Sequence, residues 1–187
     1  HCSEEILKQN RKIVPFPPVS FYNWREYETL SKEIEYKANT DLVLNMQRPY
    51  AGAKERRTKV QSLLSSYQGE IDLRSNIQQH NFWKRINDCL VAVFVPGARN
   101  DMIDRGSLQY LAFGCCIISP LITDVFWEGV RLIPNLHYIQ CRPDYSDLLD
   151  RIEWAKNNRQ NCIEMGKEAK VFFEDFCLPC NLSKILA

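Results

Sequence analysis

The residues best equipped for chemistry are cations and small turn residues set just beyond apolar runs of strand length. Leu90 to Val95 is one such run; Pro96-Gly97 stops it, and a polar stretch carrying Arg99 and Arg105 follows. A short helical segment comes next, Ser107 to Phe113, with Leu108, Leu111 and Ala112 at helical spacing and Gly114 placed as a C′ residue. Gly97 and Gly106 let a ligand approach the backbone closely, and the N–H groups of the loop and of the helix start at Ser107 attract anions, phosphate above all. Arg105 adds a planar guanidinium suited to bidentate phosphate contacts.

A second mouth of the same kind follows the run Asp41 to Asn45. Arg48 lies in the loop, and Lys54, Arg56, Arg57 and Lys59 lie early in the next helix. Cations there oppose the helix macrodipole. Either an anion is held between them or they form a solvated basic face. Beyond a third apolar run, Ile117-Ile118, stand Asp124, Trp127 and Glu128. An aromatic ring beside carboxylates can stack on a base or ribose and accept its hydroxyls, although Phe126 and Trp127 also suit the core.

These groups need a scaffold that brings several strand ends to one edge. The runs are apolar throughout, which predicts strands buried on both faces of a parallel sheet. Core strands are expected at Leu42–Leu44, Leu90–Val95, Cys116–Ile118 and His137–Ile139, with a short one at Ile71–Leu73. Helices are expected over 24–37, 51–67, 81–88, 107–113, 144–157 and 161–176. The fold class is thus α/β, a Rossmann-like three-layer domain with a parallel sheet, whose ligands sit beyond the carboxyl ends of the strands. Residues 1–23, with the stiff run Pro15 to Pro18, read as an irregular linker, and 24–187 as the domain. His80 reads as a cap or surface residue and His137 as a packed strand residue.

With 24 basic against 23 acidic side chains and a net charge of +1, the chain lacks the basic excess of a dedicated nucleic-acid binder. It has no apolar run of membrane-spanning length. It begins without Met or a signal-like apolar core, which suggests a fragment or an excised domain. Eight cysteines are scattered through apolar runs. They read as reduced and buried, hence cytoplasmic. A lumenal protein with disulfides is the alternative, and only there would the sequon at Asn181 matter. Cys177 and Cys180 form a lone Cys-x-x-Cys, without the second pair a zinc site needs. No Gly-x-Gly-x-x-Gly or Walker-type Gly-x4-Gly-Lys is present, which excludes the usual dinucleotide and P-loop sites.

The ordered pieces VAVFVPG, Arg105, LQYLAFGCC and IISP resemble the C-terminal, donor-binding half of glycosyltransferases with the GT-B architecture, the CAP10-like and exostosin-like families among them. The resemblance covers about residues 40 to 176. It implies half of a GT-B fold that binds a nucleoside-diphosphate sugar, with UDP or GDP as carrier, and passes the sugar to a glycan or other acceptor, as in polysaccharide biosynthesis. No cofactor is implied. With no Asp-x-Asp in the sequence, no metal is expected either. Arg48, Arg57 and Lys59 match the family's diphosphate contacts. Gln109 stands where many members carry a Glu for donor ribose or sugar. The donor-binding set is then Arg48, Arg57, Lys59, Pro96, Gly97, Arg105, Gly106, Ser107, Gln109, Asp124 and Glu128. The catalytic base would come from an acceptor-binding domain, N-terminal in the same chain or on a partner, so no catalytic residue is named. The competing expectation is a non-catalytic Rossmann-like module for protein interaction or regulation.

Overall fold

The computed structural model describes residues 27 to 178 apart from 28, 98, 100, 127 and 128, and at position 105 the backbone alone. The linker expected at 1–23, Glu128 and the second cysteine of the Cys-x-x-Cys lie outside the described residues. Five short strands, β1 (Val43–Leu44), β2 (Ile71–Asp72), β3 (Val91–Val93), β4 (Ile117–Ser119) and β5 (Ile139–Gln140), form one sheet in the order β2-β1-β3-β4-β5. Every pairing is parallel. The domain is therefore α/β with a Rossmann-like parallel sheet. β3 occupies the centre, and Leu90 through Val95 are wholly buried.

Helices α1 (Lys54–Ser65), α2 (Gln79–Asp88), α3 (Arg105–Ala112), α4 (Leu148–Asn157) and α5 (Arg159–Phe176) cover the sheet. Right-handed crossovers place α1, which leads from β1 outward to β2, on one face, and α2 and α3, which lead the other way, on the opposite face. α4 joins α1, with Lys59 Nζ donating to the Asp144 carbonyl at 2.9 Å just before α4. α5 lies along α3.

The contact between α3 and α5 is made by two glycines. Gly114 has φ +68°, the left-handed conformation of a helix C′ residue. Its N–H donates to the Leu111 carbonyl and that of Cys115 to the Tyr110 carbonyl, both at 2.9 Å, the Schellman pairing. Gly166 of α5 packs against this turn so closely that a Cβ would stand 1.9 Å from the Gly114 carbonyl oxygen. Around the contact, Tyr27 packs on Phe113 and Phe173 with ring centroids 5.5 and 5.4 Å apart.

Three expected elements differ. The helix foreseen over 24–37 does not run that far: past Leu30 the chain turns, and Ile34, Tyr36 and Ala38 are buried alternately with exposed Glu35 and Lys37. That is extended-chain spacing, and Tyr36 donates its hydroxyl to the Leu90 carbonyl. The helix foreseen from Asp144 begins at Leu148, because Tyr145 adopts φ +60° and the Asp147 carboxylate accepts from Arg142 N at 2.8 Å. His137 sits in the turn before β5, where its Nδ1 accepts from Ile133 N at 2.7 Å and its ring packs on Phe172.

Candidate functional site

The β1 and β3 crossovers leave in opposite directions, and the crevice between such strands is where open parallel sheets hold ligands. Here the backbone ladder ends at Leu44 and Ala92, and side chains continue it. Asn45 Nδ2 donates to the Val93 carbonyl at 2.9 Å, and Gln47 Oε1 accepts from Val95 N at 2.5 Å. The strands splay while the Val93 carbonyl and Val95 N–H stay paired. Beyond them opens a cleft of about 420 Å³, closed on its far side by α2 and the start of α3.

Arg57 pins one wall. It falls on the inward stripe of α1 with Val60 and Leu64, and its side chain is only 4 % exposed. Nε and Nη2 donate to the Val95 carbonyl at 3.2 and 3.1 Å, and Nη1 donates to the Arg48 carbonyl at 3.0 Å. Nη2 also meets Asp104 Oδ2 at 2.9 Å. The Tyr50 ring lies 5.2 Å from the guanidinium carbon.

Asp104 is the N-cap of α3. Its Oδ1 accepts from Gly106 N at 2.8 Å and Ser107 N at 3.2 Å, while Ser107 Oγ returns a bond to the N-cap backbone. This is a capping box with Ser in the third position. The helix start expected to seat phosphate thus already holds a carboxylate supplied by the chain itself.

Of the sequence-derived donor set, the structure brings Arg57, Gly106 and Gln109 to the cleft. Gln109 Oε1 accepts from Trp83 Nε1 at 2.6 Å. Arg48 is exposed beside the cleft. Ser107 is buried in its capping role, and Pro96 and Gly97 are buried behind it, their carbonyls accepting from Arg56. Lys59 is turned to the loop before α4, away from the cleft. Asp124 lies under the loop leading to α3 and accepts from Ile103 N at 2.5 Å. Position 105 is the first residue of α3.

Sequence reasoning missed Gln47, Tyr50, Arg74, Phe82, Asp104 and Tyr110, which also line the cleft. Asp104 had a local signal, the Asp-x-x-Ser spacing of a cap. The others come from separate loops and helices that only the sheet order gathers. Arg74 is paired with Asp72, which also takes Arg85 at 3.0 Å; the hydrogen bonds from Arg74 chiefly hold the Asp72 carboxyl down at about 2. Among the described residues, no three His, Cys, Asp or Glu side chains stand together as a metal site. Nor is any helix among them long and apolar enough to cross a membrane. The six cysteines among them are free and buried.

Asp124 makes a test of this loop's electrostatics. Burial pushes its carboxyl up to about 6. An acid whose pKa rises on folding contributes stability that is complete below its unfolded value near 4 and is lost as pH climbs through about 6. Asp124→Asn keeps an acceptor for Ile103 N and removes the buried charge. It should be more stable than the parent by about 3 kcal/mol at pH 7 to 8, with the gap closing toward pH 4. Urea midpoints across that range measure this, and a gap independent of pH would refute it.

No protein-family model matches the sequence. The chain is similar to proteins of two invertebrate iridescent viruses. Over 79 residues it is 33 % identical to "Uncharacterized protein 179R" of Invertebrate iridescent virus 6, covering 38 % of this chain and 7 % of that protein. Over 47 residues it is 45 % identical to "Uncharacterized protein 035R" of Invertebrate iridescent virus 3, covering 25 % of this chain and 4 % of that one. The matched segments are thus small parts of both viral proteins, and their names state no activity.

Proposed function

We propose that this chain is the donor-binding half of a GT-B-type, CAP10- or exostosin-like glycosyltransferase, holding a nucleoside-diphosphate sugar in the cleft between β1 and β3. One observation carries the reading: a parallel sheet in the order β2-β1-β3-β4-β5 opens a cleft at its switch point, lined by Arg57, Gly106 and Gln109. Arg48 and Arg105, charged residues at the two strand mouths, are the proposed diphosphate contacts. In this scheme cations and hydrogen-bond donors stabilise the leaving diphosphate as the sugar departs, without a divalent ion. The base that activates the acceptor comes from another domain. The matched segments being small parts of long viral proteins fits a module that works beside others. Free buried thiols fit a reducing compartment, and we place the protein in the cytoplasm.

The test is a thermal-shift screen with UDP, GDP, TDP and CMP and their sugars, followed by calorimetry. A bound nucleotide raises the melting temperature by mass action on the folded state. Binding should survive EDTA, and Arg105→Ala should weaken UDP and UDP-sugar alike by roughly tenfold or more. Strict dependence on a divalent ion would overturn the metal-independent scheme. If none of the nucleotides binds, the non-catalytic interaction module becomes the better reading.

A further inference from the structure

We infer that Asp104 and Gln47 form a paired acceptor and donor that read adjacent hydroxyls on a neutral ring, ribose or pyranose, within the cleft. The inference rests on the reading of this cleft as the ligand site, and it assigns the start of α3 to hydroxyl recognition instead of phosphate binding.

Three features carry it. First, the chain fills its own anion seat. The N–H groups of Gly106 and Ser107 are bonded to Asp104, and the cations on the lining are matched, Arg57 by Asp104 and Arg74 by Asp72. A phosphate placed there would meet a carboxylate at contact distance, and the N–H groups of Gly106 and Ser107 are already taken.

Second, both partners are held facing the cleft. Gln47 commits Oε1 to Val95 N, which leaves its Nε2 turned toward Gly106. A Cβ on Gly106 would lie 3.7 Å from Gln47 Nε2 and 3.0 Å from Asp104 Oδ1. Gly106 is therefore the gap across which the amide and the carboxylate reach a ligand together. In the ion pair Arg57 is 4 % exposed and Asp104 27 %, so the carboxylate is the member presented outward. A carboxylate has about four acceptor sites, and Asp104 receives three N–H bonds.

Third, the neighbouring wall suits a ring. Phe82 and Tyr110 meet edge to face, with centroids 5.5 Å apart, and both line the cleft. An acceptor beside a donor, next to aromatic surface, matches a vicinal diol: one hydroxyl donates to Asp104, and its neighbour accepts from Gln47.

Two variants test the assignment. Asn is as good an N-cap as Asp, so Asp104→Asn keeps α3 while removing the outward acceptor. Gly106→Ala favours the helix but puts a methyl group between the pair. The 187-residue chain and both variants are titrated with UDP-glucose, GDP-mannose, UDP, 2′-deoxyuridine diphosphate, uridine, methyl glucoside, methyl mannoside and sodium pyrophosphate. Each variant should weaken the hydroxylated ligands by about tenfold or more, while pyrophosphate binds neither variant more weakly than the parent. A parent preference for UDP over its 2′-deoxy form assigns the pair to ribose, and equal binding of those two assigns it to the pyranose. If nucleotide sugars bind the parent and Asp104→Asn binds them equally or more tightly, this inference fails while the proposed function stands. If only the nucleoside or the glycosides bind, and through Asp104, the inference stands and the proposed function fails. If the parent binds nothing in the panel, both fail.

Discussion

Gly166→Ala is expected to destabilise the domain by about 3 kcal/mol or more, because overpacking a closed contact leaves no low-energy escape. The added Cβ would sit 1.9 Å from the Gly114 carbonyl oxygen, 2.9 Å from its carbon and 3.1 Å from the Tyr36 ring. The turn cannot yield cheaply. Gly114 is held at φ +68° by the two hydrogen bonds that end α3. Relief would instead require α5 to move away from α3, parting Tyr27 from Phe113 and Phe173. Gly52 is the control: it is exposed, with open space where a Cβ would go, so Gly52→Ala should stay within about 0.5 kcal/mol of the parent. Urea midpoints and m-values compare the three proteins. A Gly166→Ala protein as stable as the parent would show that the contact is looser than described here.

Arg57→Met should cost about 3 kcal/mol, and the loss is one of architecture before any ligand is considered. Met matches the length of the stem and keeps an apolar side chain on the buried stripe with Val60 and Leu64. It leaves the Val95 carbonyl, the Arg48 carbonyl and Asp104 Oδ2 without the donor that serves them all. Arg57→Lys should recover only part of the loss, since a single ammonium cannot reproduce a planar fork reaching three acceptors. The splayed ends of β1 and β3 should loosen first, so amide exchange at Val95 should accelerate more than at Val91. Weakened nucleotide binding in either variant would follow from that loosening, and it becomes evidence of a phosphate contact only after correction for stability. Equal stability of Arg57→Met and the parent would overturn this account.

The sheet was legible in the sequence for a simple reason. Strands covered on both faces must be apolar at every position, so Leu90 to Val95 and Cys116 to Ile118 stand out without any periodicity to decode. Gly114 was legible too, since a helix that ends in the left-handed region selects glycine. The stretch after Leu30 was not. Ile34 satisfies both helical spacing from Leu30 and strand spacing with Tyr36 and Ala38, and the Tyr36 bond to the Leu90 carbonyl belongs to the extended choice.

For the cleft, local spacing carries signals of burial and capping, although the cations around Arg57 read along the chain as an anion seat or a solvated face and Asp104 was missed. Arg57 lies on the same helical stripe as Val60 and Leu64, and Asp104 stands three residues before Ser107. Only the tertiary structure decided that these two meet. Their positions are 47 residues apart, and they come together because β1 and β3 pair in parallel and then diverge. An arginine that looks available for phosphate along the chain is thereby committed to the Val95 carbonyl and the Asp104 carboxylate. Spacing along the chain sets a side chain's direction from its own element, whereas its partner depends on which distant element the sheet places in front of it.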